Sequence, residues 1–298
     1  MKKVFILASA AIVALASCAK TQVVYNDAPE QIAFKTVDMP MTKAAYTANL
    51  GVSAYFVSTD AKNGTPYFEH DLFSLSSGKW TGTQYWPLSD ALGFVAYGPG
   101  TDCCTTTTEG EKPVTTSTTG ISAIGVKKDV DFVYSGYETG TDGKGYTKSE
   151  TAVHMTLNHA KSKIVINVPN GSNETVTKVE LLAAGATGNC TVTFGTENSV
   201  AWKEVTTGDF DFSTVKTHYV IPGTPASVKI TYNSAKPAVT GLTTTLNLAE
   251  YPMKDSSNAT VDMTGGWKAG YSYEYNITIS SGLITVDATE TGWTDIHN

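Results

Sequence analysis

The sequence runs to 298 residues, with 28 acidic side chains against 21 lysines, no arginine and a net charge of -7. That balance excludes binding of nucleic acid through a basic surface, and the length leaves room for two domains, each with its own core. Charged residues make up only 16% of the chain, while threonine, serine, glycine and aromatics are abundant, which favours an all-β extracellular protein over a helical or disordered one.

The first element in chain order is a targeting segment. Lys2 and Lys3 precede an apolar run from Val4 to Ala16, followed by Leu15-Ala16-Ser17-Cys18. A basic start, a short apolar stretch and small residues before a cysteine form a secretory signal ending in a lipobox. Residues 1–17 are then the signal peptide. Cys18 supplies the thiol that takes the lipid and becomes the new N-terminus. The apolar run is too short to span a bilayer, and no later stretch is apolar and long enough to do so. The membrane is therefore reached through lipid.

Beyond Cys18 the pattern is one of short alternating runs, the mark of half-buried strands. Ile32 and Phe34 alternate with Ala33 and Lys35; Val52, Ala54 and Phe56 follow, and Phe94 to Tyr97 form a compact apolar strand. Val153, Met155 and Leu157 share one face, as do Ile164, Ile166 and Val168, and again Val228, Ile230 and Tyr232. The longest alternation places Tyr271, Tyr273, Tyr275, Ile277 and Ile279 opposite Ser272, Glu274, Asn276 and Thr278. Turn signals such as Asn63-Gly64, Pro169-Asn170-Gly171 and Gly265-Gly266 separate the runs. The expected architecture is two β-sandwiches in tandem, with the boundary near residues 158–162. The threonine-rich stretch 101–120 is expected as a long exposed loop or hairpin tip, and the glycine-rich stretch 138–150 as another loop.

Chemistry-bearing motifs are sparse. There is no Gly-x-Ser-x-Gly elbow, no His-Glu-x-x-His and no phosphate loop, so an enzyme is not expected. Cys103, Cys104 and Cys190 have no zinc-site spacing, and neither do His70, His154, His159, His218 and His297; no metal or other cofactor is expected. His154 and His159 are expected as surface or packing residues. Asp129/Asp131 and Asp209/Asp211 are expected in solvated turns, with a loose calcium site as the lesser reading. Trp80, Tyr85 and Trp86 could stack on sugars, although Trp86-Pro87 precedes an apolar strand, where core packing is the commoner use.

Several segments together resemble the fimbrillin (Mfa-like) family, the lipoprotein-precursor pilins of type V pili in Bacteroidia. These are Gln31-Ile32-Ala33-Phe34-Lys35 with Thr42-Lys43-Ala44, Tyr85-Trp86-Pro87-Leu88 leading to Leu92-Gly93-Phe94-Val95-Ala96-Tyr97, and Asp131-Phe132-Val133-Tyr134-Ser135. Leu157-Asn158-His159-Ala160-Lys161, Gly266-Trp267-Lys268-Ala269-Gly270-Tyr271-Ser272-Tyr273 and Gly292-Trp293-Thr294-Asp295 complete the set. The resemblance implies two transthyretin-like β-sandwich domains, here residues 44–160 and 161–298, behind a lipidated pro-segment of residues 18–43. It implies export to the outer membrane as a lipoprotein, removal of the pro-segment by a trypsin-like protease, and assembly with other pilus subunits at the cell surface by strand addition. On this pattern the removable strand carries Ile32, Phe34 and Val37, and cleavage falls between Lys43 and Ala44. The family pattern uses arginine there, so the protease would need to accept lysine; cleavage at Lys20 would release only the anchor, and an uncleaved chain would suit a basal anchor. The candidate donor strand carries Leu283, Ile284, Val286 and Trp293, unless 283–293 is integral to the second domain, in which case the chain accepts a strand without giving one. An adhesion target would be met through exposed loops such as 101–120. The rival function is a surface lipoprotein that binds glycan through exposed aromatics and does not polymerise.

Overall fold

A computed structural model describes residues 30–35, 46–105, 112–148 and 152–295. The signal segment, Cys18, Val37, Lys43 and Ala44 lie outside the described residues. The strands of the first half are β1 (Gln31–Lys35), β2 (Leu50–Val57), β3 (Pro66–Ser76), β4 (Lys79–Tyr85), β5 (Ala91–Gly98), β6 (Val114–Ser117), β7 (Gly120–Val126), β8 (Val133–Tyr134), β9 (Val153–His154) and β10 (Leu157–His159). The second half adds β11 (Ser162–Asn167), β12 (Glu174–Thr193), β13 (Ser199–Asp211), β14 (Thr217–Val220), β15 (Ser227–Ala235), β16 (Ala238–Asn247), β17 (Tyr271–Ser280), β18 (Leu283–Gly292) and β19 (Thr294–Asp295). Among the described residues the only helical turn is a three-residue 3-10 turn, Leu248–Glu250. The protein is all-β, as its alternating runs require.

One sheet of nine strands runs in the order β19-β10-β8-β5-β2-β3-β4-β1-β9. It folds over on itself. The ring of Phe34 on β1 lies edge-on to that of Phe94 on β5 at 5.1 Å, although three strands separate them in the sheet order. The enclosed core holds Ile32, Phe34, Phe73, Trp80, Leu92 and Phe94, all essentially without solvent contact. A second sandwich faces a four-stranded sheet, β14-β11-β17-β18, against a six-stranded one, β16-β15-β12-β7-β6, with β13 also paired to β12. Its core takes Ile164 and Ile166 from β11, Leu181 from β12, Ile230 from β15, and Tyr273, Tyr275, Ile277 and Ile279 from β17. The β17–β18 hairpin turns through Ser281-Gly282, φ +49° and +80°, the two-residue turn with both φ positive that matches strand twist.

The expected boundary at 160/161 falls between β10 and β11, and the chain crosses it in both directions. Hairpin β6–β7, from the first half, joins the second sandwich by pairing β7 with residues Gly188 to Thr193 of β12. In return β19, at the end of the chain, pairs with β10 in the first sheet. A third apolar cluster fills the space between. There Tyr55, Val95 and Tyr97, on the outer face of β2 and β5, meet Cys103, Cys104, Val114, Ile121, Ala123, Phe132, Cys190 and Val192. The compact apolar run Phe94 to Tyr97 is thus a strand buried on both faces.

The stretch 101–120 does hold a hairpin, Val114–Ser117 with Gly120–Val126, but the expected exposure is corrected at Cys103, Cys104 and Val114. Cys103, Cys104 and Val114 are buried, and Val114–Ser117 is strand. Threonine is β-branched and suits a pleated surface, so a threonine-rich stretch with Val114, Ile121 and Ala123 at inward positions forms a hairpin. Residues 106–111 lie outside the described residues.

Candidate functional site

β1 alternates exposed and buried positions along Gln31–Lys35, with Ile32 at 0% and Phe34 at 1% exposure. Its period of two places both apolar side chains on the core face. On one side it pairs antiparallel with β4, Phe34 opposite Trp80 and Lys35 opposite Lys79; on the other it runs parallel to the two-residue β9, Phe34 opposite Val153. The backbone N–H of Trp86 donates to the carbonyl of Glu30 at 3.0 Å, and the amide of Gln31 donates to Gly82 O. The ring of Phe34 also lies edge-on to Phe73 at 5.0 Å. Burial of an isoleucine and a phenylalanine is worth roughly 1.5–3 kcal/mol each. Without β1, the edge of β4 and an apolar slot lined by Phe73, Trp80 and Phe94 would be open, and another strand can satisfy both.

The end of the chain is built differently. Leu283, Ile284 and Val286 stand on β18, which pairs with β17 in unbroken register from Ser280 opposite Leu283 to Tyr271 opposite Gly292. Leu283 is 67% exposed at the hairpin end, while Ile284 and Val286 pack against the second core. Trp293 is buried between the two halves. Its indole stacks on His159 at 3.3 Å between ring centroids and on Tyr219 at 5.4 Å, the backbone N–H of Trp293 donates to Gly270 O, and the Lys163 ammonium lies 5.6 Å from the ring. Two histidine–carboxylate hydrogen bonds flank this stack: His159 Nδ1 to Asp131 Oδ1 at 2.7 Å, and His218 Nδ1 to Asp129 Oδ2 at 2.6 Å.

Asp129 sits in an exposed turn as expected, but both it and the half-buried Asp131 are engaged rather than freely solvated. Asp129 and Asp131 are partners of histidines brought from later strands, and among the described residues no group of three His, Cys, Asp or Glu could hold a metal ion. Asp209 and Asp211 accept backbone N–H groups from Ala183 and Ser213. His154 is exposed and His159 is a packing residue. Sequence reasoning missed the Trp293 stack and the wholly buried Lys161, whose ammonium donates to Lys127 O at 2.8 Å. Burial pushes that ammonium down to about 8, against the pull of Asp129 and Asp131. The one sequence signal was the polar string Asn158-His159-Ala160-Lys161 set between two apolar strands.

Trp80 and Trp86 take the core-packing use expected for Trp86, not the sugar-stacking one. Trp80 is buried, its indole N–H donating to Ala48 O at 2.9 Å. Trp86 is buried edge-on to Phe94. Of the three aromatics only Tyr85 is substantially exposed, at 45%. No flat pair of rings is left for a sugar at that place.

Fold and site together define an all-β sandwich protein whose first strand, β1, is buried against β4. A family model described as fimbrillin-like matches residues 40–293, and the chain belongs to that family. Its members are structural proteins, not enzymes, and membership makes this chain a fimbrial subunit of the cell surface. Among solved structures, a candidate cell adhesion protein from Bacteroides uniformis is similar at 18% identity and a TM-score of 0.55, over 89% of this chain and 98% of its own; it shares the fold. A fimbrial protein from Bacteroides vulgatus is similar at 18% identity and TM-score 0.46, over 82% of this chain and 92% of its own. The fimbrial anchor protein Mfa2 from Porphyromonas gingivalis is similar at 11% and 0.36, over 91% and 100%. No curated protein matches the sequence.

Proposed function

We propose that the chain is exported as a lipoprotein on Cys18, trimmed between Lys43 and Ala44 by a trypsin-like protease, and built into a fimbria by filling the slot of β1 with a strand from another subunit. The observation that carries this reading is β1 itself. It buries Ile32 and Phe34 completely, yet it is joined to the rest of the protein only through the segment that holds Lys43. One cut there turns a covalent strand into an exchangeable one. The incoming strand would regain the β4 pairing and the apolar contacts. The end of the chain, with β18 paired along its whole length and Trp293 stacked between the halves, suits a subunit that accepts a strand and keeps its own.

The test is the N-terminus of the protein recovered from the cell surface, read by mass spectrometry, with trypsin digestion of the purified precursor beside a Lys43→Gln variant. The expected result is a start at Ala44, with oligomers that resist mild denaturation after digestion of the wild type alone. A digested chain that remains monomeric, or a native chain that still begins at lipidated Cys18, overturns strand exchange. In the second case the chain would serve as an anchor. Removal of residues 283–298 separates the two roles of the end: a truncated chain that is unfolded by circular dichroism has lost core, and a folded one that stops polymer growth has lost a donor.

A further inference from the structure

We propose that Cys103 and Cys104 form a redox site, a vicinal dithiol that a low-molecular-weight or protein disulfide closes into a vicinal disulfide and that thiols reopen. The two sulfurs lie 3.4 Å apart, and both residues are buried. Their backbone is held on either side by the end of β7: Lys127 N–H donates to Cys103 O at 2.9 Å, Thr105 N–H donates to Gly125 O at 2.8 Å, and Cys104 bridges Val126. The sulfurs therefore keep their relative position.

Both cysteines line an open cavity of about 270 Å³, together with His70, Tyr97, Asp102 and Lys112. Two of these residues take left-handed backbone conformations that only glycine adopts freely, His70 at φ +58° and Asp102 at φ +65°. Such outliers concentrate where a structure is shaped for a ligand or a reaction. Tyr97 OH meets His70 Nδ1 at 3.4 Å, and Lys127 pairs with Asp102 at 2.5 Å, so the thiols face a polar, charged wall on one side and the apolar cluster on the other. Either thiol can donate in the contact between the two sulfurs; the hydrogen bond with Cys104 favours the thiolate of Cys103 and holds that thiol below the usual range, while the same contact raises that of Cys104. Cys190 sits deeper, on β12, where burial pushes its thiol up to about 12.

The electron count closes with a disulfide as oxidant. The Cys103 thiolate attacks one sulfur of R–S–S–R, forming a mixed disulfide and expelling a thiolate that takes up the proton Cys103 gave. Cys104, on losing its proton, attacks Cys103 Sγ and expels the second R–SH. One disulfide bond is broken and one is formed, and two electrons pass from the cysteine pair to the oxidant. Adjacent Cα atoms lie about 3.8 Å apart across a trans peptide, short of the roughly 4.4–6.8 Å that disulfides prefer. The closed ring is accordingly easier to reduce than a structural bridge. A surface protein passes through compartments where disulfide oxidants act.

The experiment equilibrates the full folded chain in glutathione buffers of stepped composition, quenches with acid, alkylates, digests and maps Cys103, Cys104 and Cys190 by mass spectrometry. The expected result is joint protection of Cys103 and Cys104 within one peptide, reversible across roughly a hundredfold span of [GSH]²/[GSSG], with Cys190 alkylated only after unfolding. Cys104→Ser should stop at a glutathione adduct on Cys103, and Cys190→Ser should behave as wild type. If Cys104→Ser fails to fold, a trivalent arsenical added to wild type supplies the second readout, with one equivalent bound in the reduced state and none in the oxidised. A bridge that includes Cys190, or thiols that stay unmodified at every ratio, overturns the proposal.

Discussion

The indole of Trp293 lies flat against the imidazole of His159, 3.3 Å between centroids and 20° between planes. His159 ends the last strand of the first half, and Trp293 leads into the last strand of the chain, which returns to pair with it. The stack therefore clasps the two ends of the second sandwich to the first sheet, where Tyr219 and the Asp131 carboxylate complete it. Trp293→Ala should cost about 3–5 kcal/mol, the range for removing a buried tryptophan ring. Urea unfolding at neutral pH measures it; a loss under about 1 kcal/mol would mean that the clasp carries no load.

β1 should behave as a plug whose strength lies in two side chains. Phe34→Ala in the uncut chain is expected to lower stability by about 3–5 kcal/mol, while Lys35→Ala, exposed on the same strand, should change it by less than about 0.5 kcal/mol. After cleavage, a synthetic Glu30–Lys35 peptide should compete for the vacated slot, and the same peptide with aspartate in place of Ile32 should not. Calorimetric titration of the trimmed protein distinguishes the two peptides, and equal binding of both would remove the case for an apolar slot.

Lys161 makes stability depend on pH in a particular direction. Its buried ammonium, pushed down to about 8, releases its proton before the unfolded lysine does, near pH 10.4. Between those values the unfolded chain binds more protons, so this group's contribution rises with pH, and the cost of burying the charge is complete below about pH 8. Cys190, with its thiol pushed up to about 12, acts oppositely above about pH 8.5. Lys161→Met removes the first effect and keeps the second. Wild type should gain roughly 2–3 kcal/mol on the variant between about pH 7.5 and about pH 10, at about 1.4 kcal/mol per pH unit. Parallel unfolding curves across that window would show that Lys161 is not buried as a charge.

Gly266 and Gly78 share a left-handed backbone, φ +71° and +75°, but differ in surroundings. A Cβ on Gly266 would stand 2.3 Å from Gly223 O, whereas one on Gly78 meets nothing within 4 Å. Gly266 sets Trp267, which exchanges backbone hydrogen bonds with Gly223 and donates from its indole to Tyr275 OH at 3.0 Å. Gly78→Ala should therefore cost only about 1 kcal/mol of backbone strain, and Gly266→Ala at least about twice that. Thermal unfolding of the two variants side by side decides it, and equal losses would assign the whole effect to φ.

Much of the fold was legible because half-buried strands write themselves in alternation. The face of Tyr273, Tyr275, Ile277 and Ile279 is buried as read, and so are Ile32, Phe34, Val153, Met155 and Leu157. For 101–120 the hairpin is legible but its burial is not, because a low apolar count does not by itself mean exposure. Val114, Ile121 and Ala123 suffice to seat a hairpin when its other face is threonine, and Cys103 and Cys104 are buried beside them. The candidate site was legible in the same measure. The inward face of β1 needs only period two, but the partners of Trp293, Asp129, Asp131 and Lys161 come from strands distant in sequence.

The sequence by itself determined the strand faces, the two-layer class and the absence of known catalytic motifs, since each depends on residue type and local spacing. Only the tertiary structure decided that hairpin β6–β7 belongs to the second sandwich, that β19 returns to the first, and that two adjacent thiols share a cavity wall with His70. Local periodicity tells which side of a strand faces a core. It carries no term for which core, because backbone hydrogen bonds are alike along every free strand edge and the choice among edges is made by long-range packing.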